Sequence, residues 1–203
     1  MSPTIHAQAI RSANKPSVYI MVGLPDSGKS SLAEKLKNKM TGHTVIIASN
    51  VLRKKCKNEK SRHSRTAKSI FHEARKLIVS TLAEGHTVIF DATNISGNSR
   101  RSIVQYIRSS HLAGKIISVF VDTSLKSCIA RYKKRSDHSY AKNQVERIKH
   151  MSKQLQRDCN NPLKTDLLYG FDGIHHYRDN ENPRIILPPQ NIHPVHKQGK
   201  KAA

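Results

Sequence analysis

A glycine-bounded loop set between a β-branched run and an amphipathic stretch is the feature that most restricts this chain. Residues 18–31 read VYIMVGLPDSGKSS, in which Gly23 to Ser30 satisfies G-x-x-x-x-G-K-[ST]. The loop leaves a strand-like run and enters a helical pattern, so its backbone N–H groups wrap an anion at the positive end of a helix. In that arrangement Lys29 reaches terminal phosphates and the Ser30 hydroxyl ligates Mg2+. Gly23, Ser27, Gly28, Lys29, Ser30 and Ser31 are therefore the nucleotide-binding candidates, with ATP and Mg2+ as the implied cofactors. Asp26 fits the loop poorly. A carboxylate inside a phosphate cradle is repulsive unless it points to solvent or to the metal.

The periodicity around the loop sets the fold. Residues 17–22 (SVYIMV), 43–49 (HTVIIAS), 86–91 (HTVIFD) and 115–122 (KIISVFVD) are short, β-branched and almost continuously apolar, as strands covered on both faces are. Between them, residues 29–40, 66–83 and 99–110 carry apolar positions three or four apart. The order β-α-β-α-β-α-β predicts a parallel sheet between helical layers, a three-layer αβα sandwich. The third strand ends in Asp91, placed to hold Mg2+ through water beside the glycine loop.

A chain of 203 residues carries one substantial core, expected over residues 17–187. Residues 1–16 read as a flexible lead-in, and residues 188–203, rich in Pro, His and Lys, as a basic flexible tail. Thirty-six Lys and Arg against fourteen Asp and Glu leave a net charge of +22, which points to a polyanionic partner and argues against a small-metabolite substrate. The charge gathers in RKKCKNEKSRHSR (53–65), RYKKR (131–135) and KHMSKQLQR (149–157), clusters that contact phosphates without reading bases. No aromatic stripe of the RNA-recognition type and no zinc spacing is present, so contact with RNA or DNA is expected to run through the backbone. Cys56, Cys128 and Cys159 are far apart and read as reduced thiols. His138, His175 and His176 form no metal-ligand pattern. With no span-length apolar stretch and no secretory signal, a cytoplasmic location without membrane contact is the expectation; oligomeric state is left open.

Five segments in order, GLPDSGKSSLAEKL, IIASNVLRKK, LAEGHTVIFDATNISGNSRR, CIARYKKR and YGFDGIHHY, together resemble the bacteriophage-type polynucleotide 5'-hydroxyl kinases and their P-loop kinase relatives. The resemblance covers about residues 17–177. It implies transfer of the ATP γ-phosphate to a 5'-hydroxyl of RNA or DNA, although relatives of the same type phosphorylate small molecules and other targets. It makes Arg131 the lid arginine that bridges ATP phosphates, with Arg135 one turn further on the same helical face. Arg53 resembles the residue that grips an acceptor phosphate, and Arg100 an acceptor-side or a structural contact.

One position departs from the family pattern. Where the family has S-D-x-x-R, with the aspartate taking the proton from the attacking hydroxyl, this chain has Ser49-Asn50-Val51-Leu52-Arg53. Asn50 accepts a hydrogen bond and orients a hydroxyl, but an amide takes up no proton at ordinary pH. Three readings follow: a weakened kinase, a different base with Asp91 the nearest carboxylate, or an acceptor already ionised. A nucleotide-binding pseudokinase that holds nucleic acid without efficient transfer is the competing function, and a kinase with a small-molecule or protein acceptor is the third.

Overall fold

The computed structural model describes residues 15–58, 67–135, 141–158, 162–178 and 184–187. Its centre is a six-stranded sheet in the order β2-β3-β1-β4-β5-β6. The strands are β1 (Val18–Val22), β2 (Thr44–Ala48), β3 (Thr87–Asp91), β4 (Ile116–Asp122), β5 (Gly173–Arg178) and β6 (Arg184–Ile186). All neighbours are parallel except β5 and β6. The four apolar runs named above are β1 to β4, and helices flank the sheet, so the αβα expectation holds.

The helices are α1 (Lys29–Lys39), α2 (Ser49–Asn58), α3 (Ala67–Ala83), α4 (Gly97–Ser109), α5 (Leu125–Arg135), α6 (Ala141–Asp158) and α7 (Pro162–Leu168). Side chains alternate across a strand, and β1 uses both sets. Val18 and Ile20 join Ile70, Ala74 and Ile78 of α3 and Ile103, Val104 and Ile107 of α4. Met21 faces the other way, onto Ala33, Leu32 and Leu36 of α1. A further cluster, with Leu24, Ile95, Cys128, Tyr132 and Ile148, seats α5 and α6 against the loops that follow β1 and β3.

This layering makes the site. The chain leaves β1 for α1 on one face and leaves the adjacent β3 for α4 on the opposite face. Loops that part in this way open a crevice at the carboxyl ends of their strands, where open α/β sheets take their ligands. Among the described residues no helix is long and apolar enough to cross a membrane.

Candidate active site at the ends of β1 and β3

Two bonds splice the loops that leave β1 and β3. Gly23 donates its N–H to the Thr93 carbonyl at 3.0 Å. Asn94 donates its side-chain N–H to the Met21 carbonyl at 2.7 Å. Asn94 is a loop-splicing position that the sequence reasoning did not single out; its signal is an amide three residues after a strand-ending acid. Its φ of 46° lies in the left-handed region that Asn tolerates.

The loop itself needs glycine twice. A Cβ at Gly23 would stand 2.7 Å from the Val121 carbonyl of β4, and Gly28 has φ 98°. Thr123, just past β4, donates its hydroxyl to the Ser27 carbonyl at 2.9 Å and pins the loop from below. Gly28 is the N-cap of α1, with no side-chain cap and no acid in the first turn. The positive end of α1 is thus left for an exogenous anion, which is the fit a phosphate chain requires.

Lys29 is 7% exposed. Its ammonium donates to the Leu24 carbonyl and, at 3.3 Å, to the Ser27 hydroxyl, both neutral groups. Burial lowers its pKa to about 8, an effect that the Asp91 charge partly offsets. A buried cation held by neutral acceptors favours an incoming anion. Beside it the Ser30 hydroxyl donates to Asp91 Oδ2 at 2.6 Å, and Asp91 is also 7% exposed. These two oxygen donors at the crevice are of the hard type that Mg2+ takes.

The loop forms one wall of a cleft of about 1100 Å3. Ser27, Gly28, Lys29, Ser30, Ser31, Asp91, Asn50, Arg131 and Arg135 all line it. Asn50 arrives there because β2 pairs with β3 with Ala48 opposite Asp91, and α2 begins without a linker at the next residue. Its Oδ1 accepts the N–H of Val51 at 2.7 Å. Arg131 donates to the carbonyls of Ser27 and Asp26, at 3.2 and 3.4 Å. Sequence reasoning also missed Thr123, Lys35, Lys39 and Tyr177 as cleft residues. None stands in the loop motif: α1 brings Lys35 and Lys39 to the cleft, β5 brings Tyr177, and Thr123 follows the end of β4.

Asp26, Arg53 and Arg100 lie in three different settings. Asp26 points neither to solvent nor to the Ser30–Asp91 pair: its side chain is 6% exposed and accepts from Arg135 at 2.8 Å. Arg53 is exposed one turn beyond Asn50 on α2, outside the residues that line the cleft. Arg100 is fully buried and also lies outside the cleft. Its Nε donates to Asp166 at 2.7 Å and its Nη1 to the carbonyls of Asn94 and Ile95 at 2.9 and 2.7 Å. Ser118 of β4 donates to the other Asp166 oxygen at 2.7 Å. Of the two roles open to Arg100, this geometry supports the structural one, because a sealed guanidinium bonded to its own domain has no face for an acceptor.

The Cys128 thiol is buried and donates to the Thr123 carbonyl at 3.7 Å, whereas the side chains of Cys56 and Cys159 lie outside the described residues. Among the described residues no group of three or more His, Cys, Asp or Glu could hold a metal. His176 instead contacts Asp122 at 3.1 Å, burial lowers the pKa of His175, and His138 falls outside the described residues.

Comparison with known proteins agrees on the fold. A chain of the Pnkp1/Rnl/Hen1 RNA repair complex superposes with a TM-score of 0.59 at 23% identity, over 71% of this chain and 45% of its own. A second structure of the Pnkp1/Rnl/Hen1 complex gives 0.50 at 22% identity, over 64% of this chain and 43% of its own. The chain thus spans less than half the length of those relatives. A chain of the PezAT chromosomal toxin-antitoxin system of Streptococcus pneumoniae gives 0.61 at 15% identity, over 87% of this chain and 76% of its own. No curated protein matches the sequence significantly. Residues 18–157 match the family model described as AAA domain (AAA_33), a stretch that holds the loop, Asp91 and the α5 arginines. The fold is that of P-loop kinases, which implies nucleotide binding, and by this match the chain belongs to the AAA domain family AAA_33.

Proposed function

We propose that this protein is an ATP-dependent kinase that transfers the γ-phosphate to a 5'-hydroxyl of RNA or DNA. The observation that carries the reading is the convergence, in one cleft, of Lys29, the Ser30–Asp91 pair, Arg131 and Asn50. A loose, anionic phosphoryl-transfer transition state is stabilised by positioned charge and not by covalent chemistry, and these are the groups such stabilisation needs. ATP with Mg2+ would supply the phosphoryl group and its leaving-group charge neutralisation. The chain's part would be fourfold: the loop and Lys29 hold the donor phosphates, Ser30 and Asp91 hold the metal, Arg131 and Arg135 cover the phosphates, and Asn50 orients the acceptor hydroxyl. Arg53, one turn beyond Asn50, would take the acceptor's own phosphate.

The choice of acceptor rests on three supports. The sequence resembles polynucleotide 5'-hydroxyl kinases, the net charge is +22, and a structural neighbour comes from an RNA repair complex. Incubation with γ-labelled ATP and a panel of 5'-hydroxyl RNA and DNA oligonucleotides tests it. Label should appear at the 5' end, and oligonucleotides already bearing a 5'-phosphate should stay blank.

A second reading is favoured by Asn50 itself. An amide whose oxygen is engaged by the Val51 N–H accepts no proton, and a nucleotide-binding pseudokinase would need none. That protein would bind ATP and nucleic acid and leave every oligonucleotide unlabelled.

A further inference from the structure

Asp26 and Arg135 form an ion pair whose two members are held very differently. The Asp26 side chain is 6% exposed, while that of Arg135 is 74% exposed, at the last residue of α5. Asp26 has φ 60°, a left-handed conformation that Asp and Asn tolerate well; the backbone there sets the direction of its Cβ, and near-complete burial of the side chain restrains the carboxylate. Arg135 reaches the carboxylate on a flexible stem from open solvent. The carboxylate is therefore the fixed partner and the guanidinium the movable one. Both line the cleft, together with Lys29 and Ser30.

A fixed negative charge in the wall of a phosphate cradle repels phosphate, and a guanidinium is the group that a phosphate chain binds best. A ligand entering the loop meets both effects at once. We propose that Asp26 is a specificity-determining residue of the loop: its carboxylate and a bound phosphate chain compete for Arg135, so the loop discriminates against ligands in proportion to their negative charge. This rests on the nucleotide-site reading above and adds to it a residue that the loop motif leaves unspecified.

Asp26→Asn tests the proposal with little risk to the fold, because Asn is at ease at positive φ and the released arginine is already solvated. The probes are inorganic phosphate, pyrophosphate and tripolyphosphate without divalent metal, and the measurement is titration calorimetry. Asp26→Asn should tighten tripolyphosphate about tenfold, roughly one decade of affinity or ~1.4 kcal/mol, pyrophosphate less and phosphate least. Arg135→Ala should weaken tripolyphosphate more in the Asp26→Asn background than in the natural protein, since in the natural protein part of the arginine's attraction is already spent on Asp26. Equal or weaker binding by Asp26→Asn, or a gain that ignores ligand charge, overturns the proposal and leaves the nucleotide site standing. Absence of any anion binding by both proteins overturns the nucleotide-site reading and the proposal with it.

Discussion

The Ser30 hydroxyl donates to the Asp91 carboxylate across 2.6 Å and so ties the first turn of α1 to the end of β3. Asp91→Asn keeps the shape and loses the charge that would hold a divalent cation. In the natural protein Mg2+ should tighten ATP by at least about tenfold, and Asp91→Asn should lose that increment while metal-free binding stays level or improves. Calorimetric titration of ATP with and without MgCl2 checks both halves.

Lys29 gives the site a pH dependence with a defined sign. Burial lowers its pKa to about 8, and a bound polyphosphate favours the charged form and raises it. ATP affinity should then fall as pH rises through about 8. Near that pH, binding should take up protons, seen as a dependence of the calorimetric enthalpy on buffer ionisation. Lys29→Met should abolish both effects and most of the affinity. For the unbound protein, an unfolded lysine keeps its proton to its ordinary 10.5, so stability relative to Lys29→Met should rise with pH between about 8 and 10.5.

Arg100 separates a structural from an acceptor role. Removing one partner of a buried ion pair leaves the other charge uncompensated, a loss of about 3–5 kcal/mol. Arg100→Met should therefore lower the urea midpoint steeply, as should Asp166→Ala, with the double variant showing strong coupling. An acceptor contact would instead leave the midpoint alone and raise KM for the oligonucleotide.

The sequence made legible what depends on local pattern. Continuous apolar runs specify strands, although β2 at the sheet's edge is only half-buried, and the loop motif specifies Lys29 and Ser30, so those elements stand where the residues put them. The 3.6-residue helical period placed Arg131 and Arg135 on one face, and both reach the same loop, at Ser27 and Asp26. What stayed hidden depends on partners distant in sequence. Arg100 stays open between an acceptor-side and a structural contact until Asp166, sixty-six residues on, pairs with it. Asp26 looks repulsive until Arg135 supplies its counter-charge. β5, with His175, His176 and Arg178 in it, lacks the continuous apolar signal of β4, and its last four residues are only half-buried or exposed.

Exposed Arg53, Lys54 and Lys55 on α2 present a run of positive charge one turn beyond Asn50. If they follow a nucleic-acid backbone, log K against log salt should fall with a slope of about −0.7 per phosphate neutralised on a single strand. Lys54→Ala with Lys55→Ala should flatten that slope and weaken unrelated sequences equally. A salt-insensitive interaction would assign these lysines to solubility alone.

Asn50 decides between kinase and binder. Asn50→Asp restores a carboxylate of nearly the same shape in the cleft, where Arg53 one turn away favours its ionised form. The decisive measurement is the initial rate of γ-phosphate transfer from Mg·ATP to a 5'-hydroxyl RNA oligonucleotide by the natural protein and by Asn50→Asp, side by side. Slow labelling by the natural protein and a rise of at least ~100-fold in the variant, with ATP affinity unchanged, is the predicted result. ATP bound by both proteins and label transferred by neither, to RNA or to DNA, would contradict it.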